Sequence, residues 1–218
     1  MFSTDLPNFL FYSREELLRA LLTTLKIRDV DVSDLCSFRE YCKERSLVSH
    51  ARSATEEKLA ENEIGGVILG SLAAGLKHRP LSREEYLEEK RSNISNKLEE
   101  GKKIRHAVYT EFEKYQKWKH QRNSHDMNDV VLILLGQSRL IGLNSEIFDS
   151  AYIDEVQDFS YASLLLICTI SGASALKWTF AGDTAQMVSF KVKYSLLHTL
   201  IVPFAHDCLY TFALCRYQ

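Results

Sequence analysis

Ala151-Tyr152-Ile153-Asp154-Glu155-Val156-Gln157-Asp158 is an apolar run that stops abruptly in two adjacent carboxylates. A short continuous apolar run is how a buried parallel strand reads, and ligands of open α/β sheets collect just beyond the carboxyl ends of such strands. Asp154 and Glu155 fall at that end. Asp154 is suited there to hold Mg²⁺ directly or through water, and Glu155 to orient the water that attacks a γ-phosphate. Gln157 and Asp158 extend the polar cluster towards a bound nucleotide. The competing reading is an ordinary strand end with solvated acids.

The pattern repeats downstream. Lys177-Trp178-Thr179-Phe180-Ala181 is followed by Gly182-Asp183-Thr184-Ala185-Gln186. A glycine turn there delivers a carboxylate and an amide, groups that sense a phosphate or a bound metal. Between the two boxes, Tyr161, Leu164, Leu165, Cys168 and Ile170 recur at the spacing of a crossover helix, as a right-handed strand-helix-strand unit requires.

In that context DEVQD and AGDTAQ resemble motifs II and III of the UvrD/Rep-type superfamily 1 helicases. The wording of the second box is closest to the UvrD-like domains of large helicase-like proteins that carry tetratricopeptide or ankyrin repeats. The resemblance implies an α/β fold, a partial P-loop NTPase (RecA-like) motor core with a mainly helical inserted subdomain. It implies ATP and Mg²⁺ as cofactors and single-stranded DNA or RNA as partner. It also implies roles: Asp154 on Mg²⁺, Glu155 as the catalytic carboxylate, and Gln186 reporting the γ-phosphate to the nucleic-acid surface, with Asp183, Gln157 and Asp158 around the nucleotide.

Two upstream stretches extend the likeness. His125-Asp126-Met127-Asn128-Asp129-Val130-Val131 is similar to the short aspartate box that precedes motif II. Its apolar continuation to Leu135 predicts a helix capped by Asp126 or Asn128. Asn8-Phe9-Leu10-Phe11-Tyr12-Ser13 followed by Arg14-Glu15-Glu16-Leu17-Leu18 looks like the strand and helix after motif Ia, and Ser13 with Glu16 fits a capping box. Each also reads simply as a capped helix.

The 218 residues hold no glycine-rich loop ending in Gly-Lys-Ser/Thr, the element whose backbone N–H groups cradle phosphates while its lysine neutralises them. Gly65-Gly66-Val67-Ile68-Leu69-Gly70-Ser71-Leu72 comes nearest in glycine count, but it lacks the lysine, and no hydroxyl residue follows Lys77. It reads as a strand or helix with close backbone packing. The chain is therefore expected to begin downstream of motif I, as a piece of a larger protein. Met187-Val188-Ser189-Phe190-Lys191 departs from the family's glycine-containing aromatic-arginine stretch, and in Phe212 to Gln218, which faintly resembles the start of motif IV, Arg216 is out of register. A second motor domain is expected beyond.

With 45% hydrophobic residues the chain is able to bury a sizeable core, and a net charge of -2 leaves any nucleic-acid contact to local patches. Cysteines 36, 42, 168, 208 and 215 have no C-x-x-C spacing, which argues against a zinc site and for a reducing, intracellular setting, nuclear or cytoplasmic. No secretory or transit leader is evident at Met1. Residues 196–214 are interrupted by His198, Pro203, His206 and Asp207 and make a poor membrane span. Asn93-Ile94-Ser95 reads as helix surface rather than a glycosylation acceptor.

Residues 33–125 form a charged, helix-permissive middle between two motor-core segments, 1–32 and 126–218. Ser82 is expected to cap a long helical stretch beginning Arg83-Glu84-Glu85-Tyr86-Leu87-Glu88-Glu89-Lys90-Arg91. Ile104, Val108, Phe112 and Tyr115 define a buried helical face, with Trp118 just beyond. Lys102, Lys103, Arg105, Lys114, Lys117, Lys119, His120 and Arg122 crowd the same region. By resemblance this is the inserted subdomain that touches nucleic acid, with Lys114, Lys117 and Lys119 as candidate phosphate contacts. A core aromatic stripe beside a solvated charged face explains the same pattern. The chain as a whole reads as part of an ATP-driven helicase or translocase, or alternatively as a non-catalytic interaction module keeping a degenerate motor fold.

Overall fold

Serine followed three residues later by glutamate marks helix starts throughout this chain. The computed structural model describes residues 13–46, 53–90, 92, 94–95, 98–141, 151–170 and 178–180. Helix α1 (Arg14–Thr24) opens with the Ser13 hydroxyl accepting from the Glu16 amide while the Glu16 carboxylate accepts from the Ser13 amide. The same exchange between Ser37 and Glu40 opens α2 (Phe38–Ser46). It recurs at Ser53 and Glu56 before α3 (Ala54–Glu63), and at Ser82 and Glu85 before α5 (Arg83–Glu88). Each box satisfies donors that a helix's first turn leaves without an intrahelical partner.

Between α3 and α5 the chain runs through a π-helical turn (Ile64–Ile68) into α4 (Leu72–Lys77), capped by the Ser71 hydroxyl. The glycine-rich stretch is thus helical, and its close packing is real. A Cβ at Gly70 would overlap the Gly65 carbonyl and stand 2.8 Å from the Ser160 side chain. One at Gly75 would lie 3.0 Å from Leu165 and 3.2 Å from the Ala162 backbone. Two bare backbone positions therefore let α4 press onto α8 (Tyr161–Ile170).

The long helix α6 (Glu99–Arg122) has 24 residues, so it extends about 36 Å. Asn123 ends it in the left-handed conformation, φ 50°, a state asparagine tolerates. Then α7 (Met127–Ile141) starts at the expected aspartate: Asp126 Oδ1 accepts from the Asn128 and Asp129 amides, and the Asp129 carboxylate in turn accepts from the Asp126 amide. Strand β1 (Ala151–Ile153) follows, then α8, then β2 (Trp178–Phe180). The two strands pair in parallel, Ala151 with Trp178 and Ile153 with Phe180, which is the strand-helix-strand unit the two boxes predict. Helix α8 is apolar almost all round and is buried between α4 and α7.

One hydrophobic core runs from Leu18 and Leu22 of α1 through Ile64, Ile68, Phe112 and Tyr115 to Leu134, Ala162 and Ile170. Charged groups inside it meet hydrogen-bonding or opposite-charge partners. Glu63, fully buried, accepts from the Tyr86 hydroxyl at 2.9 Å and the Ser92 hydroxyl at 2.6 Å. Arg105 donates to the carbonyls of Tyr86, Leu87, Glu89 and Ile94 at 2.8–3.0 Å. That guanidinium organises the connection from α5 to α6. Buried Glu111 accepts from Tyr41 at 2.6 Å and pairs with Arg45.

Several expectations change. Among the described residues β pairing is confined to β1–β2 and an isolated parallel bridge between Leu35 and His125, so the α/β character rests on one strand-helix-strand unit. The helix opened by Ser82 is short, ending at Glu88, because Arg105 claims the carbonyls that a longer helix would use. Ile94 and Ser95 lie in the α5–α6 connection rather than on a helix surface, with Ile94 buried. Ile104 is 37% exposed; on that turn of α6 the buried positions are Gly101 and Arg105. The predicted strand over residues 8–12 lies outside the described residues, as does the chain beyond Phe180. No described helix is long and apolar enough to cross a membrane.

Candidate functional site

The main chain turns sharply where β1 ends. Asp154 and Glu155 are both exposed at the carboxyl end of the strand, and Glu155 adopts φ 48°, ψ 44°. A left-handed conformation costs a side-chain-bearing residue about 1 kcal/mol or more and persists only where its surroundings dictate it. Here the Glu155 amide donates to Asp154 Oδ1 at 2.9 Å. The Asp158 amide donates to the Glu155 carbonyl at 2.9 Å, closing a 3₁₀ turn over Val156–Asp158. Gln157 occupies the middle of that turn, and Asp158 is exposed at its end.

Beyond the turn three elements grip the chain. The Ser160 hydroxyl accepts from the Ser163 amide at 3.2 Å, capping α8. The Ala162 amide donates to the Gly70 carbonyl at 3.0 Å, which ties α8 to the segment before α4. Arg14, the first residue of α1, places its guanidinium 5.6 Å from the Phe159 ring centroid and donates from Nη2 to Ser163 Oγ at 3.2 Å. Burial pulls the Arg14 pKa down, opposed by the charges of Asp126 and Asp158. Neither Arg14 nor the two close-packed glycines stand out as site residues in the sequence. The only available signal is the glycine spacing, since an arginine opening a helix looks like any surface residue.

Parallel pairing sets the carboxyl ends of β1 and β2 level, Ile153 opposite Phe180. Asp183 and Gln186 lie outside the described residues. Among the described residues no group of three or more His, Cys, Asp and Glu side chains is placed to hold a metal. An exposed carboxylate at a strand end nevertheless fits Mg²⁺, which keeps several waters and takes one or two protein carboxylates together with substrate phosphates. Asp154 has that placement.

The aspartate box is a second charged centre, and it faces inward. Asp126 Oδ2 accepts from Lys119 Nζ at 2.7 Å, and Asp129 binds the same ammonium. Burial works to lower the Lys119 pKa, but the two carboxylates outweigh it and the net shift is upward. Asp129 shifts upward, through burial first and then the neighbouring Asp126. Lys119 is 2% exposed, so this lysine is corrected from a candidate phosphate contact to the buried counter-ion of the aspartate box.

Lys114 and Lys117 are exposed on α6. Of the aromatics interleaved with them, Tyr109 and Tyr115 are buried, Tyr109 donating to the Leu81 carbonyl at 3.0 Å. Trp118 is half-buried, bonded to Glu44 and covered by Arg122 at 4.6 Å. Phe38, Tyr41, Tyr115 and Trp118 form one ring cluster. The aromatic stripe is therefore core, as its spacing equally allowed.

No curated protein and no solved structure matches the chain. The profile of the UvrD/REP helicase N-terminal domain matches residues 8–192, a span that takes in the aspartate box, the helical middle, the DEVQD turn and the Gly182 to Gln186 box, and on that match the chain belongs to the UvrD/REP helicase family.

Proposed function

We propose that this chain supplies the hydrolytic side of the nucleotide site of an ATP-dependent nucleic-acid helicase or translocase. Family membership supports a helicase-type function, ATP with Mg²⁺ as the usual cofactors, and nucleic acid as the general substrate. The observation that carries the finer reading is the pair of exposed acids at the carboxyl end of β1, in a parallel strand-helix-strand unit. In this reading residues 1–32 and 126–218 belong to a RecA-like motor core and residues 33–125 to a helical insertion, within a nuclear or cytoplasmic protein.

Asp154 holds Mg²⁺, which when bound neutralises charge on the phosphates. Glu155 orients and deprotonates the attacking water, with Gln157, Asp158 and Asp183 lining the nucleotide and Gln186 linking phosphate state to the strand-binding surface. Lys114 and Lys117 provide local positive charge for a single strand of DNA or RNA. The phosphate cradle is placed on a segment outside these residues, and the arginine that reaches the phosphates on a second motor domain.

A second reading, a non-catalytic interaction module, is favoured by one observation. The glycine-richest segment, residues 65–72, is occupied in packing against α8 rather than opened as a phosphate loop. Phosphate release separates the two. The chain alone should show no nucleic-acid-stimulated turnover, whereas a polypeptide that also carries a Gly-Lys-Ser/Thr loop should hydrolyse ATP and lose that activity in Glu155→Gln while still binding nucleotide. An inactive longer polypeptide that binds ATP normally would favour the interaction module. Robust turnover by the chain alone, abolished in Glu155→Gln, would overturn the placement of the cradle.

A further inference from the structure

Glu155 holds an uncommon backbone conformation, and in the turn that follows it the Asp158 N–H donates to the Glu155 carbonyl and the Phe159 N–H to the Val156 carbonyl. The residues immediately past it, Phe159 and Ser163, are those that Arg14 covers and hydrogen-bonds. Arg14 comes from a distant part of the chain, 149 residues before Ser163, and its Nε is buried without a hydrogen-bond partner. Leaving a buried donor unsatisfied is unfavourable, so the arginine is not explained by packing alone. Its plane suits the double task of lying over a ring and donating sideways, a geometry a lysine ammonium does not reproduce. The charges of Asp126 and Asp158 both act on the guanidinium and oppose the effect of its burial.

We propose that Arg14 is a positioning residue for hydrolysis: by clamping Phe159 and Ser163 it holds the 3₁₀ turn closed and Glu155 in its left-handed conformation. The inference rests on the helicase reading of Glu155. It makes α1 part of the machinery that sets the catalytic carboxylate, with Arg14 acting through the turn rather than on the reacting atoms.

Arg14→Gln and Arg14→Lys test it in two measurements. Amide hydrogen exchange on the chain should rise by roughly tenfold in residues 156–163 for Arg14→Gln, the scale of one lost hydrogen bond to a charged group, while α6 is unchanged. Arg14→Lys should restore part of that protection, since it can reach Ser163 but not cover Phe159. In a polypeptide that also carries a Gly-Lys-Ser/Thr loop, Arg14→Gln should lower kcat for ATP by about tenfold to a hundredfold, the scale of a small misplacement of a catalytic group, with KM within about twofold. An exchange increase spread equally over α6 and α8 would overturn the proposal, as would a local increase with kcat unmoved. Should the longer polypeptide with Arg14 intact turn over no ATP, the helicase reading fails and exchange alone decides the clamp: a rise confined to residues 156–163 upholds it, and no rise overturns it.

Discussion

The interior of the helical middle and the end of β1 both concentrate charge, and they use it in opposite ways. Inside, Glu63, Arg105, Glu111 and Lys119 are all nearly or fully buried, and each meets hydrogen-bonding or opposite-charge partners from other elements. At the strand end Asp154, Glu155 and Asp158 are exposed, and the restraint falls on the backbone instead. A buried charge is tolerable only when paired, so its removal is felt as instability. An exposed carboxylate contributes little to folding, and in the proposed reading the fixed backbone at Glu155 serves hydrolysis instead.

The contrast breaks down if these roles can be exchanged by mutation. Lys119→Met should be the most damaging to folding, about 3–5 kcal/mol in urea denaturation at neutral pH, because it leaves two buried carboxylates uncompensated. Burial and the neighbouring Asp126 hold Asp129 above its ordinary 3.8, and loss of Lys119 removes the charge that opposes that rise. The deficit should therefore shrink as pH falls through its folded pKa towards that value, and a deficit that grew on acidification would contradict the placement of the charges. Glu155→Gln should do the reverse, lowering hydrolysis by about a hundredfold or more in a polypeptide with a phosphate loop, while stability moves by less than about 0.5 kcal/mol.

Smaller effects sharpen the same comparison at the surface. Hydrogen bonds from Arg79 and then Lys77 hold Glu85 down to about 2, so its contribution is present above the ordinary 4.5 and is lost as pH falls through about 2. Glu85→Gln should therefore lower stability slightly at neutral pH and leave it unchanged below about pH 2, which flattens the acid limb of the stability curve across that window. Lys117→Gln should leave folding untouched and Lys114→Gln should cost a little stability through its pairing with buried Glu111, while each should reduce the salt slope of single-strand binding by about one if its lysine meets a phosphate. An unchanged slope would remove α6 from the strand-binding surface.

What is legible in the sequence follows periodicity and local chemistry. The serine-glutamate boxes, the crossover helix over Tyr161 to Ile170, the parallel strands and the Asp126 cap are all specified by residues within a few positions of one another. Burial of Lys119 and Arg105 is not legible, because their partners are Asp126 and Asp129 across a helix turn and carbonyls in a connection 11 to 19 residues away. On a helical wheel both look like members of a basic face. The strand-end acids are legible as a motif, but the left-handed state of Glu155 and the grip of Arg14 depend on long-range packing that no local pattern encodes.

The π turn at Ile64–Ile68 carries a consequence of its own. The Leu69 amide reaches back to the Ile64 carbonyl at 2.9 Å, five residues away rather than four, so this helix holds one spare residue. Each residue advances an α-helix by about 100°. Deleting Gly66, where even a methyl group would meet nothing within 4 Å, would close the turn to ordinary α geometry and swing the following chain by that angle. The Gly70 carbonyl would then turn away from the Ala162 amide. The surplus residue acts as a phase adjustment, setting the heading at which the helical middle meets the exit of the DEVQD turn, so Gly66 should tolerate substitution far better than deletion.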